Sequence, residues 1–209
     1  MKVTNNYRWL ILCLVCSLIS NLFIGIQGIS IRQKYIKMQD LELELKTNID
    51  NLKEVKLLEL ASSGLQFPRS TVVIDQLGNE LLLSDVVGNG KLVFRFSETH
   101  CSACIDMTFE LLKEIENKNP DAQIIIVTSV RNARTLKVVK ETYDVRSDFF
   151  NMSVYDSVIP MDAISTPYFF TIDESLLCSD FFAVFKESPE YSFRLIEEST
   201  KRFFHRHKR

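Results

Sequence analysis

The sequence predicts a mixed α/β domain, a central mixed sheet flanked by helices, behind an N-terminal transmembrane helix and a helical stalk. Three observations predict it: an uncharged N-terminal run, a following stretch without proline or glycine, and apolar strand-like runs that alternate with helix-like stretches. The length of 209 residues suits one domain with an appendage. The net charge of −2 gives no sign of a nucleic-acid partner.

Residues 9–31 carry no charged side chain and form the predicted anchor, after a short tail at residues 1–8. As a helix this run would measure about 35 Å, enough for the hydrocarbon core of a bilayer. The alternative is a cleaved signal peptide. Its apolar region should be shorter and end in an Ala-x-Ala-like site, which Ile24–Gly28 resembles poorly. We therefore expect an uncleaved single-span anchor.

Residues 32–62 predict a helical stalk, because they contain neither proline nor glycine. A seam with coiled-coil spacing of three and four runs along it: Met38, Leu41, Leu45, Asn48, Leu52 and Val55. Such a seam would join two copies of the chain, whereas a plain amphipathic helix would lie on its own domain or on a membrane surface. Homodimerisation through the stalk therefore stays open. Gly64 and Pro68 mark the boundary to the next domain.

The domain is predicted over residues 65–205, and a basic tail follows at 206–209. The continuous apolar run at 123–128 is typical of a parallel strand buried on both faces. The predicted elements are, in order, a hairpin at 71–83, a strand at 91–96, a helix at 102–117, a strand at 123–128, a helix at 131–143, an antiparallel pair at 168–185 and a last helix from 188.

A Cys-x-x-Cys motif, Cys101-Ser-Ala-Cys104, stands between the predicted strand at 91–96 and the predicted helix. At a helix N-terminus the first sulfur meets free N–H groups and the helix dipole, which favour its thiolate. The second sulfur lies one turn further on, close enough to close a small disulfide ring. The motif therefore predicts reversible thiol–disulfide chemistry.

Three segments of the domain resemble a known group: Ile74–Asp85, Phe94–Cys104 and Ile164–Asp173. Together they resemble the membrane-anchored TlpA/ResA-like group of bacterial thiol–disulfide oxidoreductases. The resemblance implies a thioredoxin-like fold with an extra N-terminal β-hairpin and a redox-active Cys101–Cys104 disulfide. It implies neither a cofactor nor a metal.

By this resemblance, Cys101 attacks the substrate and Cys104 resolves the mixed disulfide. Pro167 should be a cis proline that faces the disulfide, which leaves the Thr166 backbone to pair with an extended substrate; an ordinary trans proline is the alternative. The implied partners are protein thiol or disulfide substrates and a redox partner. We expect the domain on the periplasmic side of a bacterial inner membrane, because disulfides persist in oxidising compartments.

Three residues near the motif are candidate modulators. Arg95 stands where thioredoxins carry a buried acid. Because an unpaired buried guanidinium is costly, we expect Arg95 to pair, with Glu98 as a candidate partner, or to tilt to the surface. If Arg95 lay near the sulfurs, its positive charge would favour a thiolate and make the disulfide couple more oxidising. His100 could hydrogen-bond the Cys101 thiolate or cap a turn. Glu98 fits a solvated charge better than a catalytic base.

Two other functions stay open. Thr99-His100-Cys101 resembles the start of the copper motif in Sco-type metallochaperones, but that family spaces its cysteines by three residues and uses a histidine far downstream. This chain has no histidine between 101 and 204. The second open function is that of a catalytically degenerate, thioredoxin-like binding module. It stays open because the aromatic residues that the family carries around the motif are absent here. The sequence gives neither the direction of electron flow nor the role of Cys178.

Overall fold

The computed structural model describes residues 3–152 and 159–206. By its internal contacts the chain divides into two units, Met1–Lys53 and Glu54–Arg209. Most of the predicted basic tail, residues 207–209, lies outside the described residues, as does the start of the N-terminal tail, residues 1–2.

The first unit consists of most of one long helix, α1 (Val3–Ser62). The anchor and the stalk form one helix because no proline interrupts this stretch. Among the described residues, one helical stretch, Cys13–Ser62, is apolar enough to cross a membrane, with a mean hydropathy of 1.8 over its most apolar window, none of it buried. A signal sequence near the N-terminus has the same character, so this finding is compatible with both readings of residues 9–31.

Within the described residues, the second unit contains a seven-stranded sheet with the order β2-β1-β5-β4-β3-β6-β7. The strands are β1 (Val72–Asp75), β2 (Glu80–Leu82), β3 (Lys91–Ser97), β4 (Ile124–Ser129), β5 (Asp148–Asn151), β6 (Tyr168–Ile172) and β7 (Cys178–Ala183). The helices are α2 (Leu83–Val87), α3 (Ser102–Lys118), α4 (Ala133–Tyr143), a 3₁₀ helix (Pro160–Ala163) and α5 (Pro189–Arg206).

Strand β3 lies inside the sheet, parallel to β4 and antiparallel to β6. Strand β4 is parallel to β5, and β6 pairs with β7 in antiparallel fashion. The β1–β2 hairpin adds to the free edge of β5. This topology is the thioredoxin-like fold with an added N-terminal hairpin, so the fold predicted from the sequence is confirmed.

The two faces of the sheet bury two separate clusters, because successive side chains on a strand point to opposite faces. One face packs against α3, α4 and α5 and is rich in phenylalanine; we call it the α3 face. The other packs against α2, the 3₁₀ helix and the end of α1, and we call it the α1 face. Val55 and Leu58 of α1 pack on this second cluster, so residues 54–62, which the sequence analysis places in the stalk, lie within the second unit.

Candidate redox site

The Cys-x-x-Cys motif lies where β3 ends and α3 begins. Cys101 is the N-cap residue of α3, and its Sγ accepts a hydrogen bond from the Cys104 N–H at 3.2 Å. A disulfide joins Cys101 to Cys104, whose Cα atoms are 5.2 Å apart. Cys101 is half-buried, whereas Cys104 is only 5 % exposed. The first sulfur is therefore the one that another molecule could reach.

The turn before the motif is closed by the side chain of His100. Its Nδ1 accepts from the Ser97 N–H at 3.3 Å, and the His100 backbone N–H donates to the Ser97 carbonyl at 3.1 Å. Burial lowers the pKa of His100 to about 4; nearby Asp162 opposes this shift, and nearby Arg95 adds to it. The imidazole is therefore neutral at pH 7, with its proton on Nε2. The structure shows His100 in contact with the turn, whereas its hydrogen bond to a Cys101 thiolate stays a prediction, because Cys101 is joined in a disulfide here.

Arg95 is fully buried on the α1 face, and its partner is Asp162. The guanidinium Nε and Nη2 donate to the two carboxylate oxygens, both at 3.1 Å, and Nη1 donates to the Met152 carbonyl at 3.2 Å. Arg95 is therefore paired, as expected of a buried guanidinium, but its partner is Asp162 and not Glu98, and the side chain does not tilt to the surface. The position of Arg95 within β3 points it into the core, whereas Glu98 lies beyond the end of that strand.

Tyr168 completes this buried group. It lies directly opposite Arg95 in the β3–β6 pairing, and its hydroxyl donates to Asp162 Oδ1 at 2.6 Å. Burial and the negative charge of Asp162 hold the pKa of Tyr168 well above its usual value, so the hydroxyl stays a donor. We call Arg95, His100, Asp162 and Tyr168 the polar cluster. The sequence analysis missed two of its members, Asp162 and Tyr168.

Glu98 is a surface residue in the structure. Its carboxylate lies 3.7 Å from the guanidinium of Arg131, which is highly exposed, and it also accepts from the Arg131 N–H at 3.4 Å. An exposed pair of this kind contributes little to stability. This environment agrees with a solvated charge and offers no support for a catalytic base.

The loop that precedes β6 lies against the start of α3. The Ser165 carbonyl accepts from the Cys101 N–H at 2.9 Å. The Thr166 hydroxyl donates to the Val184 carbonyl at 2.5 Å, and the Pro167 carbonyl accepts from the Val184 N–H at 2.9 Å. None of the hydrogen bonds among the described residues uses the backbone N–H or C=O of Thr166.

The peptide bond before Pro167 is trans, because the described residues contain no cis peptide bond. The expected cis proline is therefore wrong. The two hydrogen bonds to Val184 hold the loop along β7 with the trans bond, which is the lower-energy form by about 0.5–1 kcal/mol. Pro167 itself is buried.

Cys178, at the start of β7, is fully buried. Burial raises the pKa of its thiol to about 12, with Asp173 adding to the shift. A thiol in this state is inert, so Cys178 is a packing residue of the α1 face. Within residues 3–152 and 159–206, no group of three or more His, Cys, Asp or Glu side chains could hold a metal ion.

No model of a protein family matches this chain, and no curated protein sequence matches it. Solved structures do align with it. The thioredoxin domain of a thiol-disulfide oxidoreductase from Bacteroides vulgatus is 19% identical, with 66% of this chain and 97% of that one covered and a TM-score of 0.49. A thiol:disulfide interchange protein from Bacteroides sp. is 16% identical, with 66% and 90% covered and a TM-score of 0.48. BsSco, a member of the Sco family of cytochrome c oxidase assembly proteins, is 15% identical, with 67% and 95% covered and a TM-score of 0.49.

Proposed function

We propose that this protein is a membrane-tethered thiol–disulfide oxidoreductase that exchanges disulfides with extracytoplasmic protein substrates through Cys101 and Cys104. One observation carries the proposal: two joined sulfurs at the start of α3, of which the first is half-buried and the second is buried. This difference separates a residue that meets the substrate from a residue that resolves the intermediate.

The exchange has two steps when the protein acts as a reductant. The Cys101 thiolate attacks one sulfur of the substrate disulfide, forms a mixed disulfide and releases the other substrate sulfur as a thiolate. The Cys104 thiolate then attacks Cys101 Sγ, which closes the Cys101–Cys104 disulfide and releases the second substrate thiol. Two electrons thus pass from the protein to the substrate; oxidation of a substrate dithiol runs through the same steps in reverse. The Cys104 N–H and the dipole of α3 stabilise the Cys101 thiolate.

The loop at 164–167 supplies the surface that an extended substrate would use. The Thr166 backbone has a free donor and a free acceptor among the described hydrogen bonds, beside a loop carbonyl that bonds Cys101. An extended peptide can pair with such groups as an added strand does. Pro167 supports this role by its buried ring, with its peptide bond trans.

The membrane anchor is the apolar first part of α1. Its large apolar side chains from Trp9 to Ile31 are exposed wherever the structure describes them, as a lipid-facing helix requires. We place the domain on the periplasmic side of a bacterial inner membrane, because a dithiol couple cycles where oxidants are available.

The stalk is proposed to pair with a second copy of the chain. Its seam residues Met38, Leu41, Leu45 and Leu52 are exposed, whereas Val55 packs on its own domain. The coiled-coil seam would therefore end before Val55. A Leu45→Glu substitution should turn a dimer into a monomer in detergent, as measured by light scattering, whereas Leu43→Glu, outside the seam, should not.

Trapping tests the function and the cysteine roles together. In full-length Cys104→Ala, Cys101 should stay joined to its partner, and mass spectrometry after thiol alkylation should identify a Cys101-linked protein. Cys101→Ala should trap nothing, and Cys178→Ala should behave as the parent protein. Equal yields from both motif variants would disprove the roles, and no trapped partner would favour a non-catalytic binding module.

The alternative copper function would need His100 as a third ligand beside the two cysteines, and the surroundings of His100 do not favour that role. His100 Nδ1 already accepts from the Ser97 N–H, and the residue is buried. Two thiolates alone leave a Cu(I) site that any reduced Cys-x-x-Cys pair offers. Stoichiometric Cu(I) binding by the reduced protein that His100→Asn weakens would restore this alternative.

A further inference from the structure

The last two turns of α1 carry two buried polar side chains that the proposed chemistry does not use. Glu59 is 8 % exposed and Ser62 is fully buried. Charged residues are rarely buried without a partner, so such a placement calls for a reason. Both side chains accept hydrogen bonds from backbone N–H groups elsewhere in the second unit, to which Glu59 and Ser62 themselves belong.

Ser62 holds the segment that carries Asp162. Its Oγ accepts from the Met161 N–H at 3.1 Å, in the 3₁₀ helix immediately before Asp162. Asp162 in turn binds Arg95 and Tyr168 and acts on His100, the residue before Cys101. Ser62 is therefore linked through Met161 and Asp162 to His100, which immediately precedes Cys101.

Glu59 holds the end of β7, next to the loop at 164–167. Its Oε1 accepts from the Ala183 N–H at 3.0 Å, and its Oε2 lies 2.5 Å from the Lys56 ammonium. The residue after Ala183 is Val184, whose backbone binds both Thr166 and Pro167. Glu59 therefore supports the backbone against which the substrate loop rests.

These two contacts have different expected consequences. A buried N–H that loses its acceptor is left unsatisfied, which is unfavourable, so its segment shifts to find another partner. A shift at Met161 moves the Asp162 carboxylate away from Arg95 and His100. The positive charge of Arg95 is then less neutralised next to the residue that precedes Cys101, and a positive charge near a thiol favours its thiolate. A shift at Ala183 and Val184 displaces Thr166 and Pro167 without moving a charge.

We propose that the end of α1 positions the redox site, with Ser62 setting the thiol–disulfide equilibrium through Asp162 and Glu59 setting substrate affinity through Val184. This inference rests on the proposed function. Ser62 and Glu59 are positioning residues, because neither touches the sulfurs. The helix that carries the anchor thus ends as part of the site, and a partner that binds this end of α1 would change the activity.

The equilibrium is tested on the full-length protein in detergent, poised in glutathione redox buffers. Ser62→Ala should shift the equilibrium with glutathione by about three- to tenfold towards the reduced protein, where tenfold corresponds to about 30 mV for two electrons. Ser63→Ala is the matched control, because Ser63 is exposed, and it should leave the equilibrium unchanged. If Ser62→Ala does not fold, Ser62→Gly removes the same acceptor and leaves room for water to accept the Met161 N–H.

Substrate affinity is tested with insulin as the disulfide substrate and reduced glutathione as the reductant that regenerates the Cys101–Cys104 dithiol. Glu59→Ala should raise KM about three- to tenfold with kcat unchanged, as expected for a loss of binding that is equal in ground and transition states. Glu59→Gln keeps an oxygen that can accept from Ala183 and should restore KM. Glu54→Ala, at an exposed glutamate of the same helix, is the control.

The outcomes separate this inference from the function on which it rests. A parent protein that does not exchange disulfides with insulin or glutathione disproves the proposed function. An active parent whose Ser62 and Glu59 variants lose only stability, with equilibrium and KM within twofold of the parent, disproves the positioning roles and leaves the function in place.

Discussion

The two faces of the sheet are both buried, but they are built from different interactions. On the α3 face, aromatic rings pack edge-to-face, with Phe109 lying 5.4 Å from Phe94 and 5.7 Å from Phe96 between centroids. Phe94 and Phe96 belong to β3, and on the α1 face the same strand places Arg95 opposite Tyr168 of β6. Asp162 is bonded to both. The α3 face therefore relies on packed rings, whereas the α1 face adds a buried ion pair to its own packed rings.

This difference determines how each face responds to change. Apolar packing loses stability in proportion to the atoms removed, because each contact is small. A buried ion pair fails when either partner is lost, because the remaining charge has no water to solvate it. Within the polar cluster, the charges of Arg95 and Asp162 act on His100, the residue before Cys101. The α3 face should therefore influence stability alone, whereas the α1 face should influence both stability and redox properties.

The largest expected effect comes from Asp162→Ala. The variant leaves Arg95 buried without its carboxylate, and we expect a loss of about 3–5 kcal/mol in the free energy of unfolding, measured by urea denaturation. The exposed Asp148, 3.7 Å from Lys140, is the matched control, and Asp148→Ala should cost less than about 1 kcal/mol.

A double variant sharpens this prediction. Arg95→Met combined with Asp162→Ala removes both charges and should recover most of the lost stability, because an apolar replacement for a buried ion pair is often neutral. If the double variant is less stable than Asp162→Ala alone, the ion pair is not the source of the effect.

The second prediction concerns pH. The His100 pKa is about 4 in the folded state and about 6.5 in the unfolded chain, so the unfolded state takes up its proton first as the pH falls. The neutral, buried His100 therefore contributes about 3 kcal/mol to the free energy of unfolding above pH 6.5, and this stabilisation is lost as the pH falls from 6.5 to 4. His100→Asn, whose amide oxygen can accept the Ser97 N–H, should remove this loss. An unchanged pH profile in that variant would assign the dependence to other groups.

The sequence predicted those features that depend on neighbouring residues. The apolar runs gave β3 and β4, and the motif between a strand and a helix gave the position of Cys101. It did not give the partner of Arg95, because Asp162 lies 67 residues away in a short 3₁₀ helix that no periodicity marks.

Two other expectations failed or were incomplete for similar reasons. The Thr166–Pro167 pair is bonded to Val184, which follows β7 and lies far along the chain, so the Thr-Pro pair alone could not decide between cis and trans. Val55 continues the apolar spacing of the stalk, yet it packs on its own domain, because spacing does not tell which surface covers a helix face. Strand β5 escaped notice because it is short and begins and ends with polar residues, Asp148 and Asn151.

A third, smaller effect is expected for Tyr168→Phe. The change keeps the ring and removes only the hydroxyl that donates to Asp162, a hydrogen bond to a charged group worth about 1.5–3 kcal/mol. The redox equilibrium with glutathione should also shift, because Asp162 loses one of the donors that fix its position. Tyr143→Phe is the control, since its hydroxyl donates to the exposed Asp106. An equal shift in both variants would contradict a special role for the α1 face.

The smallest effect comes from the same substitution made on the two faces. Phe181 and Phe182 are neighbours in β7 that point to opposite faces, and each stacks on one phenylalanine of β6, at 4.9 and 5.3 Å between centroids. Phe182→Leu loses one ring pair and should cost about 1 kcal/mol, with the redox equilibrium unchanged. Phe181→Leu also loses its contact with Tyr168 and should cost up to about 2 kcal/mol with a measurable redox shift. A redox shift from Phe182→Leu as large as that from Phe181→Leu would show that packing on either face reaches the disulfide, and the distinction between the faces would then be one of stability alone.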